Sequence, residues 1–196
     1  MQLFLIRHGL PVRRETDDGS AADPPLSARG RAQAQALARW LAGERIDALY
    51  MSPLRRARQT AQPLAVAHGI EARVEAGVTE FDAASDQYVP LEELKEQDHA
   101  RWKALVSNGF YLEGEVETFR ATVVTALERI IAAHAGAHVA VVCHGGVINA
   151  WTSHLLGLER VFLFEPVYTS VSRYLAASSG ERSLLSLNET AHLRSE

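Results

Sequence analysis

Cysteine is almost absent, Cys143 being the only one in 196 residues. A single thiol excludes an internal disulfide framework and any cysteine-based zinc cluster, and it suits a reducing compartment. Long apolar runs are missing too. The run at the amino end, Leu3 to Ile6, is interrupted by Arg7 before it reaches the length of a signal-peptide core, and no later run approaches membrane-spanning length. Basic excess is also lacking. The 20 Lys and Arg stand against 24 Asp and Glu, a formal net charge of -4, which argues against a nucleic-acid binder. These absences point to a cytoplasmic protein with no membrane segment and no nucleic-acid partner. With 47% hydrophobic and 22% charged residues, the chain is long enough for one domain with a real core.

What is present is an alternation of short β-rich runs with longer helical ones, the pattern of parallel strands joined by helical crossovers. QLFLI, DALYM, EARVE and HVAVVC read as strands, and SVSRYLAA and RSLLSLNE as two more joined by a tight turn at Ser179-Gly180. Helices are predicted over LSARGRAQAQALARWLAG, with Ser27 as N-cap and Gly43 as terminator, and over GVINAWTSHLLGL. A third, PLRRARQTAQ, is opened by Ser52 and Pro53, and its run is kinked or divided at Pro63. Two more helical stretches, about Leu91 to Val106 and Glu115 to His134, separate the third strand from the fourth. The expectation is a single domain over residues 1–196, a three-layer α/β/α sandwich with a mostly parallel central sheet and a helical insertion at about 76–135.

Ligands of such sheets bind beyond the carboxyl ends of the strands. Here those ends carry Arg7 and His8 after the first strand, Ser52 to Arg56 after the second and His144 after the fourth. Two guanidiniums and two imidazoles make a poor core, because each buried charge without a partner costs several kcal/mol. They make a good receptor for a dianion. A guanidinium fork matches phosphate oxygens in pairs, and Gly9, Gly145 and Gly146 let backbone amides approach an anion where turns open helices. Neutral imidazole can also take a phosphoryl group covalently, and arginines would stabilise the charge that transfer places on the equatorial oxygens. The candidate histidines keep company with arginines, which repel a cation, so neither a metal nor a cofactor is expected.

FLIRHG, LSARGRAQA, SPLRRARQTA and VVCHGGVINAWTSHLLGL occur in this order and resemble the histidine phosphatase superfamily, the phosphoglycerate-mutase-like group. TSVSRY is similar to the family's closing strand. The resemblance implies that His8 is the nucleophile that becomes phosphohistidine and that Arg7 binds the phosphate. It selects Arg56, two after the leucine of SPLRRARQTA, over Arg55 and Arg58. It makes His144 the second histidine of the phosphate pocket and puts a proton donor in VTEFDA, at Glu80 or else at Asp82. The activity implied is hydrolysis of a small phosphate monoester, the alternatives being a mutase or a phosphate-ester-binding module with little turnover. Two departures bear on substrate. Leu10 and Pro11 replace polar residues common after RHG, and EFDAASDQYVP lacks the Gly-x-Trp-Glu-like continuation of many cofactor-dependent mutases. Arg13 and Arg14 either supply cations for a second anionic group or are neutralised in their own loop by Glu15, Asp17 and Asp18.

Overall fold

Side-chain alternation along β1 (Gln2–Arg7) decides the layering in the computed structural model, which describes residues 1–100, 103 and 116–194. Leu3 and Leu5 enter one core and Phe4 and Ile6 the other, because successive strand residues face opposite sides of the sheet. The neighbouring strand near the end of the chain repeats this, with Val139, Val141 and Cys143 in the first core and Ala140 and Val142 in the second. All nine side chains are fully buried, and each of the larger ones contributes roughly 1.5–3 kcal/mol. A strand apolar on both faces needs a helical layer on each side.

In chain order the remaining elements are β2 (Arg14–Glu15), α1 (Ala28–Leu41), β3 (Ala48–Met51), α2 (Arg55–His68), β4 (Ala72–Val74), a 3-10 turn (Ala76–Val78), β5 (Gln87–Tyr88) and α3 (Leu91–Gln97). They are followed by α4 (Val116–Ala133), β6 (His138–Cys143), α5 (Gly145–Leu155), β7 (Val171–Ala176) and β8 (Arg182–Glu189). The six-stranded sheet runs β4-β3-β6-β1-β7-β8. Its first four strands are parallel, β7 is antiparallel to β1, and β8 closes a hairpin on β7. Residues of α1 and α2 fill the core on one face and residues of α4 and α5 that on the other, so the α/β/α sandwich with a mostly parallel sheet is the observed fold.

Local differences from the sequence reading have physical causes. The second helix does not divide at Pro63 but runs through it from Arg55 to His68, its buried residues Ala57, Thr60, Ala61 and Leu64 keeping it docked on both sides of the proline. Ser52 does not cap it. Leu54 occupies that position, and the free amide of Arg55 is met by the Asp23 carboxylate at 2.9 Å from a loop far away in sequence. Ser27 does cap α1, accepting the Gly30 amide at 2.9 Å. The helix expected over Leu91 to Val106 is described as far as Gln97, and residues 101, 102 and 104–106 lie outside the described residues, as does Glu115 before α4.

Candidate active site

Strand register brings the sequence-predicted residues together. Arg7, last in β1, pairs with Cys143, last in β6, and the His8 amide donates to the Cys143 carbonyl at 3.0 Å, so His8 and His144 leave the sheet side by side. Their rings lie 5.0 Å apart. On the other flank of β6, Met51 pairs with Val142, so Ser52 follows beside His144 and Arg56 arrives one turn later in α2. Arg7, His8, Arg56 and His144 are all at most 6% exposed. Arg7, His8 and Arg56 line a cavity of about 320 Å³ together with Glu80, Asp82, Gly145 and Gly146.

Each guanidinium is held flat against an aromatic ring, Arg7 over Tyr168 at 3.9 Å and Arg56 over Tyr88 at 4.7 Å. Arg7 also donates to the Pro166 carbonyl and lies 3.9 Å from Glu165. The carboxylates near Arg56, those of Asp23 and Asp82, are 3.9 and 3.7 Å away. Neither Arg7 Nε nor Arg56 Nε has a hydrogen-bond partner among the described residues, and both are buried.

The tautomer of His8 follows from one bond. Its Nδ1 lies 2.8 Å from the Gly9 carbonyl, so Nδ1 carries the proton and Nε2 keeps its lone pair. Burial, then Arg56 and Arg7, hold the His8 pKa well below its ordinary value, so the imidazole is neutral at pH 7. Burial, with Arg56, His8 and Arg7, does the same to His144. His144 Nε2 lies 2.8 Å from Ser52 Oγ, and that oxygen also accepts the Leu54 amide at 3.3 Å. His144 Nε2 and the Ser52 hydroxyl thus share one hydrogen bond, and His144 Nδ1 is buried without a described partner.

Glu80 stands across the cavity, on the loop after the 3-10 turn. Its carboxylate accepts the Gly146 amide at 3.0 Å and its own neighbour's, Phe81, at 3.2 Å. Burial, reinforced by Asp82, outweighs those bonds and pushes its pKa up to about 7. Burial raises Asp82 too, opposed by Arg56. The two carboxyls thus face different partners, Asp82 a guanidinium and Glu80 a helix N-terminus.

Not every expected residue takes the expected part. Gly9 does not offer its amide to the cavity, because it donates to Thr60 Oγ1 at 2.9 Å, and Thr60 in turn donates to the Arg56 carbonyl at 2.7 Å. The glycine serves close packing instead: a Cβ on Gly9 would lie 2.6 Å from the Gly30 carbonyl oxygen, and one on Gly30 would lie 2.0 Å from that of Leu10. Gly146 is tight against side chains rather than backbone, since a Cβ would meet Glu80 Oε1 at 2.2 Å. Gly145 lines the cavity at the start of α5. Arg13 is exposed and paired with Glu15 at 2.6 Å and Glu93 at 3.7 Å, and neither Arg13 nor Arg14 reaches the cavity lining. His134 and His138, four apart in sequence, do not share a helix face: His134 bonds Tyr50 and His138 opens β6. Sequence reasoning missed Ser52 as a partner of His144, Thr60 as the link between Gly9 and Arg56, and the rings of Tyr88 and Tyr168. Only Ser52 and Thr60 had a signal, as polar residues inside or beside a motif.

Comparison with known proteins agrees with this geometry. The profile of the histidine phosphatase superfamily (branch 1) matches residues 3–190. Phosphoserine phosphatase 1 of Hydrogenobacter thermophilus is 31% identical, over 98% of this chain and 94% of its own. A probable phosphoglycerate mutase, GpmB, of Yersinia enterocolitica is 29% identical over 81% of this chain and 76% of its own. Among solved structures, phosphoserine phosphatase of Entamoeba histolytica, crystallised with 3-phosphoglyceric acid, superposes with a TM-score of 0.75 at 25% identity, over 98% of both chains. Strand-end histidines, guanidiniums at the same sheet edge and a profile spanning nearly the whole chain converge, and the chain belongs to the histidine phosphatase superfamily, branch 1.

Proposed function

We propose that the protein hydrolyses small phosphate monoesters through a phosphohistidine on His8. The observation that carries this reading is the set of buried nitrogens, Arg7 Nε, Arg56 Nε and His144 Nδ1, that bond nothing among the described residues, gathered at the strand ends where His8 keeps a bare Nε2. Buried guanidinium donors left unmade are costly, and a phosphoryl dianion supplies acceptors for them. The His8 Nε2 lone pair attacks phosphorus as the ester P–O bond breaks. Glu80, its pKa raised to about 7 and so about half protonated at neutral pH, gives its proton to the departing oxygen. Water then attacks the phosphoryl group, its proton returns to the Glu80 carboxylate, the P–N bond breaks and inorganic phosphate leaves. Arg7 and Arg56 meet the charge on the equatorial oxygens, so the scheme calls for no metal and no cofactor.

The domain organisation fits this reading: one catalytic domain whose excursion at about 76–135 carries Glu80 to the sheet edge. Among the described residues no helix is long and apolar enough to cross a membrane. Small phosphorylated metabolites and the lone buried Cys143 thiol suit the cytoplasm, where we place the protein, with no nucleic-acid partner.

The test is chemical trapping. Protein mixed with phosphorus-labelled para-nitrophenyl phosphate and quenched in alkali should carry label on His8 that is stable to base and lost in acid. Inorganic phosphate should be the product. Full turnover without label on His8 overturns the mechanism, and with unlabelled 3-phosphoglycerate added, passage of the label to phosphoglycerate instead of to water identifies a mutase.

A further inference from the structure

Beyond the phosphate end the cavity changes character. Its lining there is Phe81, Val89, Leu94, Phe162, Phe164 and Pro166. The rings are already set against one another, Phe81 edge-on to Phe162 at 5.4 Å and to Phe119 at 5.9 Å, so the wall is fixed before any ligand arrives. Two polar side chains of the lining, Asn149 and Ser85, are committed to the protein, whereas that of Gln87 is exposed. The Asn149 amide donates to the carbonyls of Gly145 and Phe164, both at 2.9 Å, and its oxygen accepts from Leu163 and Phe164 at 2.8 and 3.1 Å. The Ser85 hydroxyl donates to the Gln87 carbonyl at 2.9 Å. Among the described residues of the lining the cations are Arg7 and Arg56, both at the phosphate end, with Glu165 3.9 Å from Arg7 and Asp82 3.7 Å from Arg56, and Glu80 is the remaining acidic residue.

We propose, resting on the phosphatase reading above, that Phe81, Val89, Leu94, Phe162 and Phe164 form a leaving-group subsite for an apolar alkyl or aryl alcohol, and that the site rejects esters carrying a carboxylate. Such a carboxylate would lose its water against aromatic carbon, and the cations of the described lining, Arg7 and Arg56, are the ones the phosphate engages. The chemistry named in the relatives, phosphoserine and phosphoglycerate, has that carboxylate. Arg13 and Arg14, the cations the sequence offered for it, stand outside the lining.

The experiment compares esters of ordinary alcohols, so that leaving-group basicity does not decide the order: 2-phenylethyl phosphate, ethyl phosphate, O-phosphoserine and 3-phosphoglycerate, on the purified full chain. The value of kcat/KM for 2-phenylethyl phosphate should exceed that for 3-phosphoglycerate by roughly 100-fold. Phe164→Ala should cut the preference for 2-phenylethyl over ethyl phosphate roughly tenfold, and Val89→Lys should raise 3-phosphoglycerate turnover relative to 2-phenylethyl phosphate by a similar factor. Circular dichroism checks that each variant folds, and Val89→Lys carries the test where Phe164→Ala does not. Equal or better turnover of 3-phosphoglycerate by the wild type, or ratios unmoved in the folded variants, overturns the subsite while leaving hydrolysis standing. A folded protein that turns over none of these esters, nor para-nitrophenyl phosphate, takes down the hydrolase reading and the subsite with it.

Discussion

The two ends of the cavity are made of different material. At the phosphate end, Arg7, His8, Arg56 and His144 are fixed by three adjacent parallel strands whose register sets their spacing. At the far end, Phe81, Val89, Phe162 and Phe164 come from loops, and Leu94 from the short α3. The near end is polar and carries buried nitrogens without partners among the described residues; the far end is lined mostly by apolar side chains, with Asn149 committed to the chain. A reaction that depends on sub-ångström placement sits on the stiff part of the fold, and selection among alcohols sits on the part that tolerates change.

That division is broken most severely at the nucleophile. His8→Ala should lower kcat by roughly 10⁴-fold or more on every ester, apolar or charged, with circular dichroism unchanged. Residual activity near the wild-type value would move the covalent step elsewhere. Glu80→Gln is the next largest, because Glu80 belongs to a far-end loop yet acts at the near end. Esters with poor leaving groups should lose about 10²–10⁴-fold, and para-nitrophenyl phosphate far less. The same carboxyl gives a pH signature. Burial keeps it protonated up to about pH 7, so wild-type kcat on poor leaving groups should fall as pH rises through 7, and that limb should be missing from Glu80→Gln. The smallest effect is expected from Gly146→Ala. Its methyl would press on Glu80 Oε1 and on Phe81 Cδ1, at 2.2 and 2.9 Å, one atom from each half. Both can shift, so a loss of roughly tenfold on poor leaving groups is expected, together with altered preference among alcohols. A change in rate alone would show that the halves are independent.

The near end was legible in the sequence because strands announce themselves by apolar alternation, and a charged residue at the end of such a run stands out. Arg7, His8 and His144 follow from that, with motif order selecting Arg56. The far end was not legible. Phe162 and Phe164 lie in an irregular stretch between α5 and β7, where no period distinguishes a cavity wall from a core. Asn149 reads as one polar residue in an apolar helix until the chain returns and hands it the Leu163 and Phe164 amides. Ser52 followed by Pro53 has the local pattern of a cap, yet His144 and a distant Asp23 redistribute those duties. In each case a contact between residues far apart in sequence overrode a sound local inference.

The meeting of Gly9 with Gly30 has a consequence for how such a sequence can vary. Both would-be methyl contacts are with backbone, so neither glycine can be exchanged with a compensating change in some side chain. The stretch between them is closed at its base by the Pro11–Leu26 bridge and by Val12 donating to the Pro25 carbonyl at 3.0 Å. The nucleophile's loop and the start of α1 are in effect welded at one joint. Outside that joint, the exposed turn at Asp17 to Gly19 is free to take insertions and charge reversals without displacing His8, whereas Asp23 is tied to the Arg55 amide, which makes this turn the natural place for lineages of the fold to diverge.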